Sequence, residues 1–67
     1  MTNEEAKTAL LERTPVCFQN IEYLYISAII YRVGKNNRLI ISAELMDKTK
    51  RSITIAPIKD VITLYDQ

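Results

Sequence analysis

IEYLYISAIIYRVGKNNRLIISAELMD, residues 21–47, consists of two long apolar segments that meet at the short polar sequence GKNN. The first segment is Ile21–Val33 and the second is Arg38–Asp47. Both are rich in β-branched and aromatic residues, which favour strands over helices. Gly34–Asn37 is a hairpin signal, because glycine and asparagine adopt positive φ at little cost. The stretch therefore predicts one long antiparallel hairpin.

Shorter elements flank this hairpin along the chain. Tight turns are marked by polar residues, and strands by apolar runs or by alternation of apolar and polar residues. In order, we expect a strand at Val16–Phe18, a turn at Gln19-Asn20, a turn at Lys48–Arg51, a strand at Ser52–Ala56, one helical turn at Pro57–Asp60 and a strand at Val61–Tyr65.

The segment before the strands predicts a short helix at residues 3–13. Thr2 or Asn3 can cap its N-terminus, and the acidic residues Glu4 and Glu5 suit the positive first turn. Pro15 ends the helix, since the residue before a proline is pushed towards extended angles. A helix of this length is not stable alone in water, so it must pack against the strands.

Five short strands joined by hairpins, with one helical turn before the last, form the element order of a small SH3-like barrel. The segment Thr14–Leu64 resembles the SH3-like and Tudor-like small barrels. The motifs that carry this resemblance are Pro15-Val16, Ile21-Glu22-Tyr23, Ala43-Glu44-Leu45-Met46-Asp47 and Ile58-Lys59-Asp60-Val61.

This resemblance implies a mainly β fold. We expect a five-stranded SH3-like barrel at residues 16–65, preceded by the short N-terminal α-helix, in a single domain that covers residues 1–67. Tudor domains bind methylated ligands with an aromatic cage, and no such cage is present in this sequence. The whole chain also resembles small proteins encoded by Gram-positive prophages and mobile elements.

The two arms of the long hairpin are apolar on both faces, at Ile29–Tyr31 and at Leu39–Ile41. One face must line the barrel, and the other needs a cover, because such a patch is rarely left in water. The N-terminal helix is one candidate for this cover and a second copy of the protein is another. We predict Ile30 and Ile40 as interface residues if copies assemble.

Several catalytic and metal-binding residue types are missing or scarce. There is no histidine, the commonest general base, and the single cysteine, Cys17, lies in an apolar strand rather than in an electropositive setting. One cysteine excludes an internal disulfide and a structural zinc site, and the single glycine excludes a glycine-rich phosphate loop. We therefore expect no enzyme activity, no cofactor and no metal site.

Basic residues are the main functional candidates. Six of the nine lie in residues 32–51, a window with only two acidic residues, and they form two groups about 30 Å apart at strand spacing. Such residues can bind phosphates, and two tyrosines six positions apart share a face for base stacking unless a bulge intervenes. The alternative is that charged turns only keep strand edges soluble. The candidates are Arg32, Lys35, Arg38, Lys48, Lys50, Arg51, Tyr25 and Tyr31.

Together these features predict a non-enzymatic phage or mobile-element module that binds nucleic acid or a nucleotide phosphate, with a role against host defences. The alternative is a protein-interaction or assembly module that uses the apolar hairpin face Ile29–Ile41. Expected partners are nucleic acid or a nucleotide, a host or phage protein, and further copies of the chain. No run is long enough to span a membrane, and the start lacks a signal-peptide pattern, so a cytoplasmic location is expected.

Overall fold

The computed structural model describes residues 1–64, which form one α-helix and six strands in two antiparallel three-stranded sheets. The sheets have the strand orders β2-β1-β6 and β3-β4-β5. The elements are α1 (Asn3–Glu12), β1 (Val16–Phe18), β2 (Ile21–Tyr23), β3 (Tyr25–Val33), β4 (Leu39–Met46), β5 (Ile53–Pro57) and β6 (Ile62–Thr63), with single 3-10 turns at Lys35–Asn37 and Ile58–Asp60.

The prediction of a closed five-stranded barrel is wrong. The segment predicted as one strand from Ile21 to Val33 is interrupted at Leu24, whose backbone N–H donates to the carbonyl of Met46 at 2.9 Å. The part before Leu24 pairs with β1 and the part after it with β4. Within residues 1–64 no pairing joins β5 to β6, because the Ile58–Asp60 turn carries the chain across to β1. The domain is therefore a mixed one, with a helix and two separate sheets.

The helix begins with a capping box at Thr2, which is one of the two predicted N-caps. The Thr2 hydroxyl accepts a hydrogen bond from the Glu5 amide at 3.1 Å, and the Glu5 carboxylate accepts one from the Thr2 amide at 2.7 Å. The helix ends one residue earlier than predicted, because Arg13 adopts the left-handed conformation that terminates many helices. Its buried residues are Ala6 and Ala9, and the helix packs mainly against β3.

A β-bulge divides the pairing of β3 with β4. Ile26 lies opposite Leu45, but Ala28 lies opposite Glu44, so Ser27 is the extra residue. The Ser27 hydroxyl lies within hydrogen-bond distance of two oxygen atoms of Glu44. It is 3.1 Å from the backbone carbonyl oxygen and 2.8 Å from the carboxylate Oε1. The bulge shifts the alternation of side chains along β3 by one residue.

Sheet β3-β4-β5 has an inner face towards the core and an outer face away from it, since paired residues point to the same side. Fully buried Ala43 and Leu45 identify the inner side. The inner face carries Ile26, Ile29, Tyr31, Val33, Leu39, Ile41, Ala43, Leu45, Thr54 and Ala56. The outer face carries Tyr25, Ala28, Ile30, Arg32, Ile40, Ser42, Glu44, Met46, Ile53, Ile55 and Pro57.

The core combines residues of the helix and of both sheets. A hydrogen bond ties the sheets together, because the Tyr23 hydroxyl on β2 donates to the Thr54 hydroxyl on β5 at 3.3 Å. The buried cluster consists of Ala6, Ala9, Val16, Tyr23, Ile26, Ala43, Leu45, Ala56, Ile58 and Val61. On the inner face of the hairpin, the helix also bonds Tyr31, whose hydroxyl donates to the Asn3 side chain at 2.9 Å. The helix therefore covers the inner face and leaves the outer face, which was predicted to need a cover, without one from α1.

The turn residues are as predicted, but one glycine has a different role. Gln19 and Asn20 both have positive φ, which suits a two-residue hairpin turn. In the long hairpin the positive φ angles fall on Asn36 and Asn37, whereas Gly34 has a φ of −92°. A Cβ at position 34 would lie 2.5 Å from Cδ1 of Ile40, so a larger residue there would have to displace the end of that partly exposed side chain.

The chain after β5 follows the predicted order. The single helical turn is present at Ile58–Asp60, and the last strand is shorter than the predicted Val61–Tyr65. Tyr65, the end of that predicted strand, lies outside the described residues. No helix in residues 1–64 has the length and apolar character that a membrane span requires.

We expect Leu45→Ala to destabilise the fold by about 3 kcal/mol, because it leaves a cavity among fully buried residues. Leu11→Ala is the matched control: Leu11 is 83% exposed, so the same truncation should change the free energy of unfolding by less than about 0.5 kcal/mol. Urea unfolding followed by circular dichroism measures both. Equal effects of the two substitutions would contradict the placement of Leu45 in the core.

Candidate functional site

The distal tip is the end of the long hairpin and consists of Arg32, Lys35 and Arg38. Arg32 ends the outer face of β3, Lys35 begins the 3-10 turn, and Arg38 follows that turn. Two backbone hydrogen bonds fix the turn, from the Gly34 N–H to the Arg38 carbonyl at 2.7 Å and from the Arg38 N–H to the Lys35 carbonyl at 3.3 Å. All three basic side chains are exposed.

No carboxylate in the described chain neutralises the distal tip. The ion pairs of residues 1–64 are Lys7 with Glu4 and Lys48 with Glu22, and neither includes a residue of the tip. The acid of β4, Glu44, lies opposite Ala28 and hydrogen-bonds Ser27. The tip therefore presents three cations without an acidic partner.

The proximal turn, at the other end of β4, carries Lys48, Lys50 and Arg51. Lys48 forms an exposed ion pair with Glu22 on β2, with 2.8 Å between Nζ and Oε2. The carboxylate of Asp47 also lies in this turn, where it accepts hydrogen bonds from the turn itself. Acidic groups thus offset part of the positive charge at this end.

Hydrogen bonds keep the Asp47 carboxylate ionised. The backbone N–H of Thr49 donates to Oδ1 at 2.5 Å, and the Ser52 hydroxyl donates to Oδ2 at 3.2 Å. The Thr49 amide is the largest cause that lowers the pKa of Asp47, followed by the Thr49 side chain, while partial desolvation acts in the opposite direction and is outweighed. The turn is therefore built around a negative charge.

The two basic clusters remain apart in the folded chain. The distal tip precedes β4 and the proximal turn follows it, and eight residues of strand span about 26 Å. The long axis of the molecule measures 36 Å. One copy of the chain thus has two separate basic ends rather than one continuous patch, as the strand length predicts.

The bulge places Tyr25 and Tyr31 on opposite faces, so the expected shared stacking face is absent. Tyr25 lies opposite Met46 on the outer face and Tyr31 opposite Ile41 on the inner face. The ring of Tyr25 is covered by Arg13, whose Cζ lies 4.6 Å from the ring centroid. Tyr31 is 50% exposed and lies one residue before Arg32, so it is the tyrosine near the distal tip.

Lys59 joins the distal tip in space, although nothing in its sequence position indicated this. It lines an open groove of about 310 Å³ together with Arg38, Leu39, Ile40, Ile41, Pro57 and Ile58. The register explains the placement, because Ser42 lies opposite Pro57 and the continuing chain brings Lys59 past Ile40. The register of β5 against β4 would have identified Lys59, but local sequence patterns do not reveal that register.

The two predicted interface residues lie on the outer face, as the pairing of β3 with β4 requires. Ile30 is half-buried and Ile40 is 41% exposed. β5 adds Ile53 and Ile55 to the same face, with exposures of 47% and 44%. The helix lies on the opposite side of this sheet, so these isoleucines have no cover from α1.

Groups that suit nucleophilic or metal chemistry are sparse in residues 1–64. The one cysteine, Cys17, is buried in β1 at 5% exposure. No set of three or more histidine, cysteine, aspartate or glutamate side chains in that part of the chain is placed to hold a metal ion.

Comparison with known proteins gives no match, whether to a family model, to a curated protein or to a solved structure. The function must be inferred from the geometry of the chain itself.

We expect Asp47→Asn to lower the melting temperature at neutral pH and to do so less at acid pH. A carboxyl whose folded pKa is lowered stabilises the fold above its unfolded pKa, and this contribution is lost as pH falls through the folded value. Thermal unfolding of both proteins from neutral pH to below the usual aspartate range measures the difference. A gap between the two melting temperatures that does not narrow on acidification would contradict this role.

Proposed function

We propose that the chain is a non-enzymatic binding module whose distal tip holds the phosphate groups of single-stranded nucleic acid or of a nucleotide. The observation that carries this proposal is the set of three exposed cations, Arg32, Lys35 and Arg38, without a carboxylate partner in residues 1–64. Phosphate is the anion that suits them, because guanidinium groups bind it through two parallel hydrogen bonds.

Two neighbouring features favour a flexible nucleic-acid strand or a nucleotide over a duplex. The half-exposed ring of Tyr31 offers a surface for stacking an unpaired base. Lys59 extends the positive charge from Arg38 across the groove, along a path that a phosphate backbone can follow. Contacts of this kind position a phosphate chain without discriminating between sequences.

The distal tip is favoured over the proximal turn because acidic side chains offset the cations of the proximal turn. Lys48 already pairs with Glu22, and the ionised Asp47 lies among the cations of the proximal turn. An incoming phosphate there meets a local negative charge, whereas no carboxylate of residues 1–64 forms an ion pair at the distal tip. The proximal turn is therefore a secondary contact in this proposal.

The biological setting is part of the proposal and rests on the resemblance to small proteins of Gram-positive prophages and mobile elements. Such a module, expressed in the host cytoplasm, would act by occupying a nucleic acid or a nucleotide signal that a host defence requires. The support for this setting is the resemblance alone, whereas the phosphate site has its own support in the charges of the distal tip.

A second candidate function, a protein-interaction or assembly module, is favoured by the outer face of the sheet. Ile40, Ile53 and Ile55 are each more than 40% exposed on that face, and contiguous exposed apolar residues mark interaction sites on soluble domains. Ile30 lies between Ala28 and Arg32 on the same face. This candidate does not exclude the first, because Ile53 and Ile55 lie opposite Met46 and Glu44, away from the distal tip. Ile40 belongs to both surfaces, since it lies opposite Arg32 and shares the groove with Arg38.

We expect Arg32→Glu combined with Arg38→Glu to weaken binding of a fluorescently labelled oligothymidine by roughly a factor of ten or more, since two charge-assisted contacts are lost. For the unaltered protein, log K should fall with log salt with a slope of about −2, from about −0.7 for each of three single-strand phosphates. Fluorescence anisotropy at several salt concentrations measures both, and competition with a nucleoside triphosphate separates a strand from a nucleotide as the ligand.

Lys50→Glu combined with Arg51→Glu is the charge-matched control. It changes the net charge by the same amount at the proximal turn and should leave most of the binding intact. Binding that survives the distal double reversal and is indifferent to salt would rule out the phosphate site. Equal losses from the two double variants would indicate attraction by net charge without a defined site.

A further inference from the structure

β5 is an edge strand whose protection against strand pairing is confined to Pro57 at its C-terminal end. It is the last strand of sheet β3-β4-β5, and its sequence, ITIAP, has no charged side chain. Natural edge strands are usually guarded by lysines, by prolines, by inward charges or by a covering segment, because their unpaired backbone groups attract other strands. The proline of β5 guards only its last position and leaves the segment from Ile53 to Ala56 open. Here Ile53, Ile55 and Pro57 are all exposed.

The backbone groups that face the open side of β5 follow from its register. The Asp47 N–H donates to the Ser52 carbonyl at 3.1 Å, which identifies residues 47 and 52 as a hydrogen-bonded pair. In an antiparallel ladder every second pair is of this type. Thr54 and Ala56 therefore bond to β4, whereas the N–H and C=O groups of Ile53 and Ile55 point away from the sheet.

We propose that this edge pairs with β5 of a second copy of the chain, antiparallel and across a two-fold axis at Thr54. Ile53 of each copy then lies opposite Ile55 of the other, and the outward N–H and C=O groups of both residues form four hydrogen bonds. The two sheets join into one sheet of six strands. Such an interface is self-complementary, as a two-fold dimer requires.

The charges on either side of β5 and the proline at its end select this register. Arg51 precedes the strand and Lys59 follows it. A two-fold axis at Ile55 would place Arg51 opposite Lys59 of the second copy and would set Ile53 opposite Pro57, which has no N–H to donate. An axis at Thr54 avoids both defects, because Arg51 then lies opposite Pro57 rather than Lys59, and the Ile53–Ile55 pairs that form the four hydrogen bonds contain no proline.

The side chains also favour a second copy as the occupant. Ile53 and Ile55 are 47% and 44% exposed on the outer face, and in this register they meet the same two residues of the other copy as cross-strand β-branched pairs. β6 is an edge strand of the other sheet. It has only two residues, Ile62 and Thr63, so its edge is much shorter than that of β5.

Pairing through β5 would also bring the two basic ends together. Arg51 of one copy would lie two positions from Lys59 of the other, beside the groove that Lys59 shares with Arg38. The proximal turn of one copy would then lie beside the distal tip of the other as the secondary contact of the proposed site, while the distal tip still supplies most of the contacts to phosphate. This consequence rests on the proposed function, whereas the pairing itself does not.

A disulfide tests the register directly. At a non-hydrogen-bonded pair the two Cα atoms lie about 4.5 Å apart, within the range of about 4.4–6.8 Å that a disulfide spans. In a Cys17→Ala background, we expect Thr54→Cys to cross-link two copies under mild oxidation and Ile55→Cys, whose counterpart lies diagonally, to cross-link far less. Cross-linking of Ile55→Cys alone would contradict the axis at Thr54.

Light scattering of variants without engineered cysteines tests which surface of the chain forms the dimer contact. We expect the unaltered chain to be a dimer, and Ile55→Lys, which guards the edge with a charge, to be a folded monomer by circular dichroism. Ile62→Lys is the control: Ile62 has the same 44% exposure on the other sheet, so this variant should remain a dimer.

Two outcomes would overturn the β5 pairing. One is a monomer of the unaltered chain at its highest soluble concentration. The other is a dimer that Ile40→Asp dissociates and Ile55→Lys does not, which would assign the contact to the outer face. Oligothymidine binding is measured separately on the same variants, so loss of the dimer and loss of phosphate binding are distinguished.

Discussion

The pairing of β3 with β4 is the interaction on which the rest of the fold depends. β4 is the central strand of its sheet, and its inner residues Ala43 and Leu45 are fully buried. The helix packs mainly on β3, β5 pairs with the far side of β4, and the chain enters β3 directly from β2. A helix of ten residues and a strand of three have little stability alone, so each is held by what the long hairpin provides.

One extra residue in β3 decides how the surfaces are divided. The bulge at Ser27 moves every later side chain of β3 to the face opposite the one that simple alternation from Tyr25 assigns. Tyr25 precedes the bulge and lies on the outer face under Arg13, near one end of the sheet. Tyr31 follows the bulge and therefore lies on the inner face near the other end, where it is hydrogen-bonded to the helix. The position of one serine thereby determines which aromatic ring accompanies the basic tip.

The two ends of β4 have similar numbers of cations but different electrostatic surroundings. At the proximal turn, Glu22 and an Asp47 carboxylate held in its ionised form offset the cations. At the distal tip no ion pair forms in residues 1–64. Cations without partners cost little in water, where they remain hydrated, and they are available to a phosphate ligand. This asymmetry is the basis for placing the proposed phosphate site at the distal tip.

The sequence by itself determined the local elements: the capped helix, the hairpin turns, and the helical turn before the last strand, since each depends on residues adjacent in the chain. It also determined that the basic residues form two groups, because strand length fixes their separation. Only the tertiary structure decided that the sheets stay separate, that a bulge splits the tyrosines, and that Lys59 joins Arg38. These depend on register, which is set by contacts between residues far apart in sequence and which local propensity does not encode.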